Sequence, residues 1–300
     1  SGVHSWEYWQ FEMAQAWPYI ADALNVPEED RGSKCTPIGA IAEATKSGII
    51  GSCVNDEYDA GKDTKGKAED FRGGTAYWSP ETGAHALYGA ILAKYNGLGG
   101  PSGWLGFPLT GETRTPDGVG RFVHFQHGSV YWTPATGAYA IPRDMFDAWG
   151  KNGWETGDLK YPVAEANQVG DGYVQKFQGG YLTRNPDGTH FIVHGAIGEK
   201  YGQIGTATSQ LGYPTGNEVA VKGGFFQPFE HGHIYWSAST GAHTILTGAI
   251  FDEWGKRGWE QGELGWPVSD MTEIPAGGQT IDFQRGTIEQ VNGRVNVRTR

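Results

Sequence analysis

Three hundred residues are enough to bury a large core, and 48 glycines, 15 prolines and 13% aromatic residues make a turn-rich chain suited to short strands rather than helices. A net charge of −11 supplies no basic field for nucleic acid or an anionic membrane, so a neutral or weakly charged polymer fits better as a partner. No run of 18 apolar residues occurs, so no helix here is expected to span a membrane.

Residues 1–31 read as a separate segment. Ser1-Gly2-Val3-His4-Ser5-Trp6-Glu7-Tyr8-Trp9 leads into a helix-like stretch to about Leu24, and Val26-Pro27-Glu28-Glu29-Asp30 reads as a linker. Beyond it the chain repeats. A phenylalanine ahead of a hairpin turn recurs as Phe71, Phe125, Phe177, Phe229 and Phe283, spaced 54, 52, 52 and 54 residues apart. The element Leu105-Gly106-Phe107-Pro108 returns as Leu159-Lys160-Tyr161-Pro162, Leu211-Gly212-Tyr213-Pro214 and Leu264-Gly265-Trp266-Pro267, with a degenerate first copy in Ile50-Gly51-Ser52-Cys53. This gives five repeats, read as 32–88, 89–141, 142–194, 195–247 and 248–300, the last cut short.

Each repeat has the same predicted elements. A short helix opens at Gly39, Gly89, Gly195 and Gly248, and at Pro142 between the second and third repeats, where a missing N–H costs nothing at the first helical position. Met145 with Trp149, and Ile250 with Trp254, form i, i+4 apolar pairs, and Gly150 and Gly255 stand where a left-handed cap is expected. The Leu-Gly-aromatic-Pro element follows, then about four strands. Gly74, Gly128, Gly180, Gly232 and Gly286 are expected at positive φ in the hairpin turn. Thr-Pro-Ala-Thr-Gly at 133–137 and Ser-Pro-Glu-Thr-Gly at 79–83 suit a type I turn followed by a glycine bulge. Residues 58–70 read as a solvated Lys/Asp-rich loop.

Leu-Gly-Phe-Pro followed by FxxGxxYWSPxTGAH resembles the LGFP-repeat proteins of mycolic-acid-containing actinobacteria, over roughly residues 35 to 300. The fold expected is mainly β: five small four-stranded antiparallel units, each with a short helix, which must stack because none buries its apolar face alone. They either close into a ring or, as expected here, run on as an elongated stalk. The resemblance implies that such repeats are appended to a cell-envelope enzyme. The segment HSWEYW is similar to the end of mycoloyltransferase catalytic domains, which are α/β-hydrolases. By that resemblance His4 is the triad base of a catalytic domain outside this sequence, since the histidine comes last in that fold. No G-x-S-x-G elbow occurs in the 300 residues, so this chain is expected to be non-catalytic and to need no cofactor. The resemblance further implies secretion to the cell envelope and binding to the arabinogalactan–peptidoglycan polysaccharide, with the chain monomeric. Cys35 and Cys53 form either a bridge or two buried thiols; an oxidising envelope favours the disulfide.

Comparing the repeats nominates binding residues. Ala76, Val130, Leu182, Ile234 and Ile288 mark a core face, so the neighbouring Tyr77, Tyr131 and Tyr235 point the other way, as sugar-stacking rings or as padding between repeats. Trp78, Trp132 and Trp236 end the same strand on the core side; Arg184 and Gln290 replace them elsewhere, which argues for partial exposure. His85 and His243 follow the bulge glycine and are replaced by Tyr139 and Phe191. An acid recurs after each Leu-Gly-aromatic-Pro element, as Glu57, Glu112, Glu165, Glu218 and Asp270; it either accepts sugar hydroxyls or ties down backbone N–H groups. The pairs His231/His233 and His124/His127 lack a completing ligand set, so no metal site is expected. Two functions stay open, a wall-binding stalk and a ligand-free spacer. A glycosidase is disfavoured, because one acid per repeat does not make one cleft with two carboxylates.

Overall fold

The computed structural model describes the chain except residues 1–12, 14, 15, 18, 28–34, 63 and 276, so His4 and most of the predicted linker lie outside the described residues. Residues 19–23 are helical. The chain divides into two compact units at Phe146/Asp147. In the first, helix α1 (Gly39–Thr45) precedes a sheet of β1 (Tyr58–Ala60), β2 (Gly66–Phe71), β3 (Gly74–Ser79) and β4 (Gly83–Tyr88). Helix α2 (Gly89–Gly97) then leads to β5 (Thr113–Arg114), β6 (Arg121–Phe125), β7 (Gly128–Thr133) and β8 (Gly137–Pro142). The unit boundary falls inside helix α3 (Arg143–Lys151).

The second unit holds three sheets. The first comprises β9 (Asn167–Val169), β10 (Gly172–Phe177), β11 (Gly180–Arg184) and β12 (His190–His194). After helix α4 (Gly195–Gln203) come β13 (Val219–Val221), β14 (Gly224–Phe229), β15 (Gly232–Ser237) and β16 (Gly241–Leu246). Helix α5 (Ala249–Lys256) precedes β17 (Thr272–Ile274), β18 (Gly278–Phe283), β19 (Gly286–Val291) and β20 (Arg294–Thr299). Every sheet is an antiparallel meander in sequence order.

The Leu-Gly-aromatic-Pro element is a fifth backbone partner for the hairpin at the centre of each sheet. His127 and Gln126, at the hairpin turn, donate their N–H groups to the carbonyls of Leu105 and Phe107 at 3.1 Å each, and Leu109 donates to His124 at 2.7 Å. The same three bonds join Leu159, Tyr161 and Val163 to Gly179, Gln178 and Lys176, and recur at Leu211 and Leu264. Pro108, Pro162, Pro214 and Pro267 bridge Phe125, Phe177, Phe229 and Phe283, and Cys53 bridges Phe71 in the degenerate copy. The bridge position tolerates proline because the residues on either side carry the hydrogen bonds.

Beneath this pairing lies the small core of each repeat. Tyr95, Trp149, Tyr201 and Trp254, on the helices, are fully buried against Phe125, Phe177, Phe229 and Phe283, with ring centroids 4.6, 5.4, 5.0 and 5.2 Å apart. Three of their polar tips reach the glycine carbonyl of the element: Tyr95 Oη to Gly106 at 2.8 Å, Tyr201 Oη to Gly212 at 3.2 Å and Trp254 Nε1 to Gly265 at 3.2 Å. Each such phenylalanine contributes on the order of 2–3 kcal/mol by burial. The predicted core face holds, since Ala76, Val130, Leu182, Ile234 and Ile288 are inaccessible, as are Met145 and Trp149.

Four local expectations are corrected. The hairpin glycines Gly74, Gly128, Gly232 and Gly286 do not adopt positive φ; they are required because a Cβ would lie 2.3–2.5 Å from a carbonyl oxygen of the next strand. Gly150 and Gly255 are not caps either. A Cβ there would strike the indole of Trp154 or Trp259, and the left-handed residues are Gly153 and Gly258. Pro142 closes β8 opposite Gly128 instead of opening helix α3. Residues 58–70 are not a solvated loop but contain β1 and most of β2, with Ala68 and Glu69 buried; a buried carboxyl among flanking charges masked the strand. The bulge glycines Gly83, Gly137 and Gly241 do take positive φ.

The element glycines Gly106, Gly212 and Gly265 have φ between 69° and 74°, whereas Lys160 is forced to φ 55° at the same place. Lys160→Gly therefore raises stability by about 0.5–1 kcal/mol after glycine's extra unfolded-chain entropy is subtracted. The measurement is the chemical denaturation midpoint; an unchanged or lower midpoint contradicts the strain.

Candidate functional site

The rings of three Leu-Gly-aromatic-Pro elements, Phe107, Tyr213 and Trp266, reach back to the preceding repeat. A Cβ on Gly66 would lie 2.0 Å from the Phe107 ring, one on Gly172 would lie 2.5 Å from Tyr213 Oη, and one on Gly224 would lie 2.6 Å from the Trp266 ring. Glycine at the start of the second strand thus makes the slot for the next repeat's ring. Tyr213 also donates to the Val169 carbonyl at 2.8 Å.

The same junctions take up the predicted tyrosine row, which does not face solvent. Tyr77, Tyr131 and Tyr235 are 5, 4 and 5% exposed. Tyr77 packs edge-on to Tyr95 and donates to Asn96 Oδ1 at 2.9 Å. Tyr131 stacks on Phe122 at 5.1 Å, and Tyr235 lies 4.8 Å from Trp254 and 5.1 Å from Phe226. In the third repeat Thr183 holds this register, and Tyr181, two residues earlier, meets Tyr201 instead. In the first and fourth sheets one face is covered by the repeat's own helix and the other by the helix that follows.

The recurring acid is likewise a junction residue in three repeats. Glu112 has a buried carboxylate 3.4 Å from Arg121 Nε; burial, opposed by Arg121 and a Tyr88 hydrogen bond, raises its pKa. Glu218 is raised mainly by burial, against the lowering effect of His194. Asp270 accepts from the Thr244 N–H at 2.9 Å and pairs with Lys200 at 2.5 Å. Burial opposes its ionisation, yet the nearby His243 ring, 3.7 Å away, and the bonds from Lys200 and Thr244 outweigh it and hold the carboxyl well below the usual range. Tyr88, His194 and Thr244 all belong to the last strand of the preceding repeat or its final residue. Glu165 is half-buried and Glu57 exposed.

His85 and His243 donate Nε2–H to the carbonyls of Thr82 and Thr240 at 2.9 and 2.8 Å, so they fasten the bulged turn. The bond explains the imidazole in those two repeats; Tyr139, in the same register, instead lies under Lys94 Nζ at 5.3 Å. A recurring set that sequence comparison missed is Gln126, Gln178, Glu230 and Gln284. Each follows the hairpin phenylalanine and accepts the N–H of the element's aromatic residue, at 2.8, 3.3, 2.9 and 3.2 Å. An amide or acid directly after each of these phenylalanines was the available signal.

Of the nominated side chains, the tryptophans combine an aromatic face with access to solvent. Trp78, Trp132 and Trp236 are half-buried, each pressed on a core cluster along one face. Their cross-strand partners are Lys67, Arg121 and Phe225. The Phe225 and Trp236 rings lie 5.9 Å apart at 31°, and in the third repeat the guanidinium of Arg184 sits 5.9 Å from the Tyr173 ring. Four repeats thus present an aromatic ring beside a cation or a second ring.

Cys35 and Cys53 form a disulfide, which resolves the two alternatives for them. No helix among the described residues is long and apolar enough to cross a membrane. The histidine pairs gather no metal set: His124 Nδ1 meets Ser129 Oγ at 2.8 Å, and His233 stacks on Phe251 at 4.5 Å.

The chain matches the LGFP repeat family over residues 50–103, 105–157, 159–209 and 211–262. The family pattern begins at the Leu-Gly-aromatic-Pro element instead of at the helix, and the fifth sheet lies beyond its last match. No curated protein matches the chain. Among solved structures, the extracellular domain of a protein described as a one-component system from B. thetaiotaomicron is 10% identical, over 86% of this chain and 32% of its own, with a TM-score of 0.17. A second, from a hybrid two-component system of the same organism, is 11% identical over 89% of this chain and 31% of its own, with a TM-score of 0.16. The chain spans about a third of each, and likenesses this slight carry no argument about fold or function.

Burial lowers the pKa of His233 to about 4, so the folded protein binds its proton less readily than the unfolded chain. Its contribution is complete above pH 6.5 and is lost as pH falls from 6.5 through 4. Thermal melts across this window should show a falling midpoint that His233→Phe flattens; an equal slope in the variant rules out this origin.

Proposed function

The chain belongs to the LGFP-repeat family, and on that premise we propose that it is a non-catalytic stalk that binds cell-wall polysaccharide, the arabinogalactan–peptidoglycan layer, outside the cell. The observation that carries the reading is the recurring half-buried tryptophan beside a cationic or aromatic cross-strand neighbour. A flat ring supported from behind by core presents its open face to the C–H surface of a sugar, and the neighbour offers a donor or a second ring. A chain of charge −11 suits a neutral polymer. Several weak platforms on one polymer give avidity without a strong single site.

The disulfide fits an oxidising, extracytoplasmic setting. In this reading the repeats hold a mycoloyltransferase domain near its acceptor, with His4 as the last member of its triad. Tyr77, Tyr235, Glu112, Glu218 and Asp270 serve the binding surface indirectly, by holding the repeats together. The alternative is a spacer with no glycan ligand.

Retention on purified cell walls, before and after arabinogalactan is stripped, separates the two readings. Stripping should abolish retention. At about 1 kcal/mol per stacked ring, the folded triple variant Trp78→Ala, Trp132→Ala, Trp236→Ala should lose roughly two orders of magnitude in apparent affinity. Undiminished retention of the variant contradicts the tryptophan platform, and an intact chain that stays in the supernatant leaves the spacer.

A further inference from the structure

The first repeat carries a cluster that no other repeat has. Cys35, Cys53 and Glu69 are 9, 4 and 1% exposed, and one ligand atom from each lies within 4.8 Å of the others. Glu69 Oε1 is buried and has no hydrogen-bond partner. The same register holds Val123, Gln175, Gln227 and Ile281 in the later repeats, all inaccessible. Gln175 and Gln227 donate Nε2–H to the carbonyls of Ala164 and Gly216 at 3.0 Å, a bond that an ionised carboxylate cannot make. An amide or an aliphatic side chain therefore satisfies this slot structurally. What a carboxyl adds, beside two sulfurs, is a third anionic donor.

We propose that reduction of the Cys35–Cys53 disulfide turns this cluster into a binding site for a thiophilic divalent cation, Zn2+, held by the two thiolates and the Glu69 carboxylate. In the oxidised form the sulfurs are bonded to each other and carry no charge, so the site is closed. An external dithiol supplies the two electrons. Its thiolate attacks one cysteine sulfur, the S–S bond breaks, the departing thiolate takes up a proton, and the dithiol's second sulfur closes its own disulfide as the second cysteine is released. Zn2+ then displaces the two thiol protons and any proton on Glu69, and water fills the fourth tetrahedral position. The cysteine Cα atoms are 5.9 Å apart, so both side chains reach one ion at the usual Zn–S distance of about 2.3 Å. Asp56 and Glu57 act electrostatically on Glu69 and add to the negative field. Two sulfurs and one oxygen favour zinc over calcium or magnesium, which take oxygen donors.

The test uses the untagged full chain, oxidised or reduced with a phosphine, titrated with Zn2+ against a chromogenic zinc chelator and followed by thermal melting and tryptophan fluorescence. The reduced chain should take up one Zn2+ and melt at a higher temperature with it, the oxidised chain should take up none, and Glu69→Gln should weaken uptake at least tenfold. Uptake by the double variant Cys35→Ser, Cys53→Ser equal to that of the reduced chain overturns the proposal. So does Glu69→Gln binding as tightly as the natural sequence. If reduction loosens the first repeat, zinc should restore its native fluorescence; binding without that recovery marks unfolded thiols and overturns the site.

Discussion

The fold depends on one backbone interaction made in every repeat, the pairing of the Leu-Gly-aromatic-Pro element with the tip of the central hairpin. Each repeat has a small sheet with a short first strand, down to two residues in β5, and such a sheet has little core of its own. The element adds further backbone hydrogen bonds at the hairpin tip and lays its leucine and aromatic ring against the core. The leucine fills the space under the hairpin glycine: Leu105, Leu211 and Leu264 come within 3.1, 2.8 and 2.7 Å of a Cβ built at Gly128, Gly232 and Gly286. The element's own glycine takes the left-handed turn and offers its carbonyl to the helix ring below. The motif is thus a structural clasp, and its sequence follows from packing and hydrogen bonding without a ligand.

The clasp also fixes how repeats meet within each unit. Its aromatic ring enters a slot above a glycine of the preceding repeat, the strand tyrosines press on the next helix, and the recurring acid binds the preceding repeat's last strand. These contacts account for most residues that recur, because a repeat that covers one sheet face with its own helix leaves the other for its neighbour. Surface left for recognition is correspondingly limited. The tryptophan at the end of the third strand stands out, since it is open on one face and changes to Arg184 or Gln290 without disturbing the core.

Much of this was legible in the sequence. The period, the hairpin phenylalanines, the core-facing row from Ala76 to Ile288 and the bulge glycines follow from spacing and alternation. Alternation tells which residues share a face but not what covers that face, so Tyr77, Tyr131 and Tyr235 were read as outward although the next helix buries them. Glycine was legible as a requirement but not as a cause: Gly74 and Gly128 serve close strand approach, and Gly66 and Gly172 make room for a ring that is distant in sequence. The charges of residues 58–70 hid two strands because one of them, Glu69, is buried like the alanine before it, so charge did not mark the exposed positions. The Glu69 cluster needed three-dimensional proximity between residues 35, 53 and 69.

Amide hydrogen exchange at the hairpin tips tests the clasp most directly. The N–H groups of Gln126, His127, Gln178, Gly179, Glu230, His231, Gln284 and Arg285 all point to carbonyls of the element. Turn amides facing water exchange fast, so these eight should instead be protected to the level of the strands they join. Exchange at the rate of an open turn would mean that the element lies beside the hairpin without holding it, and the central claim would fall.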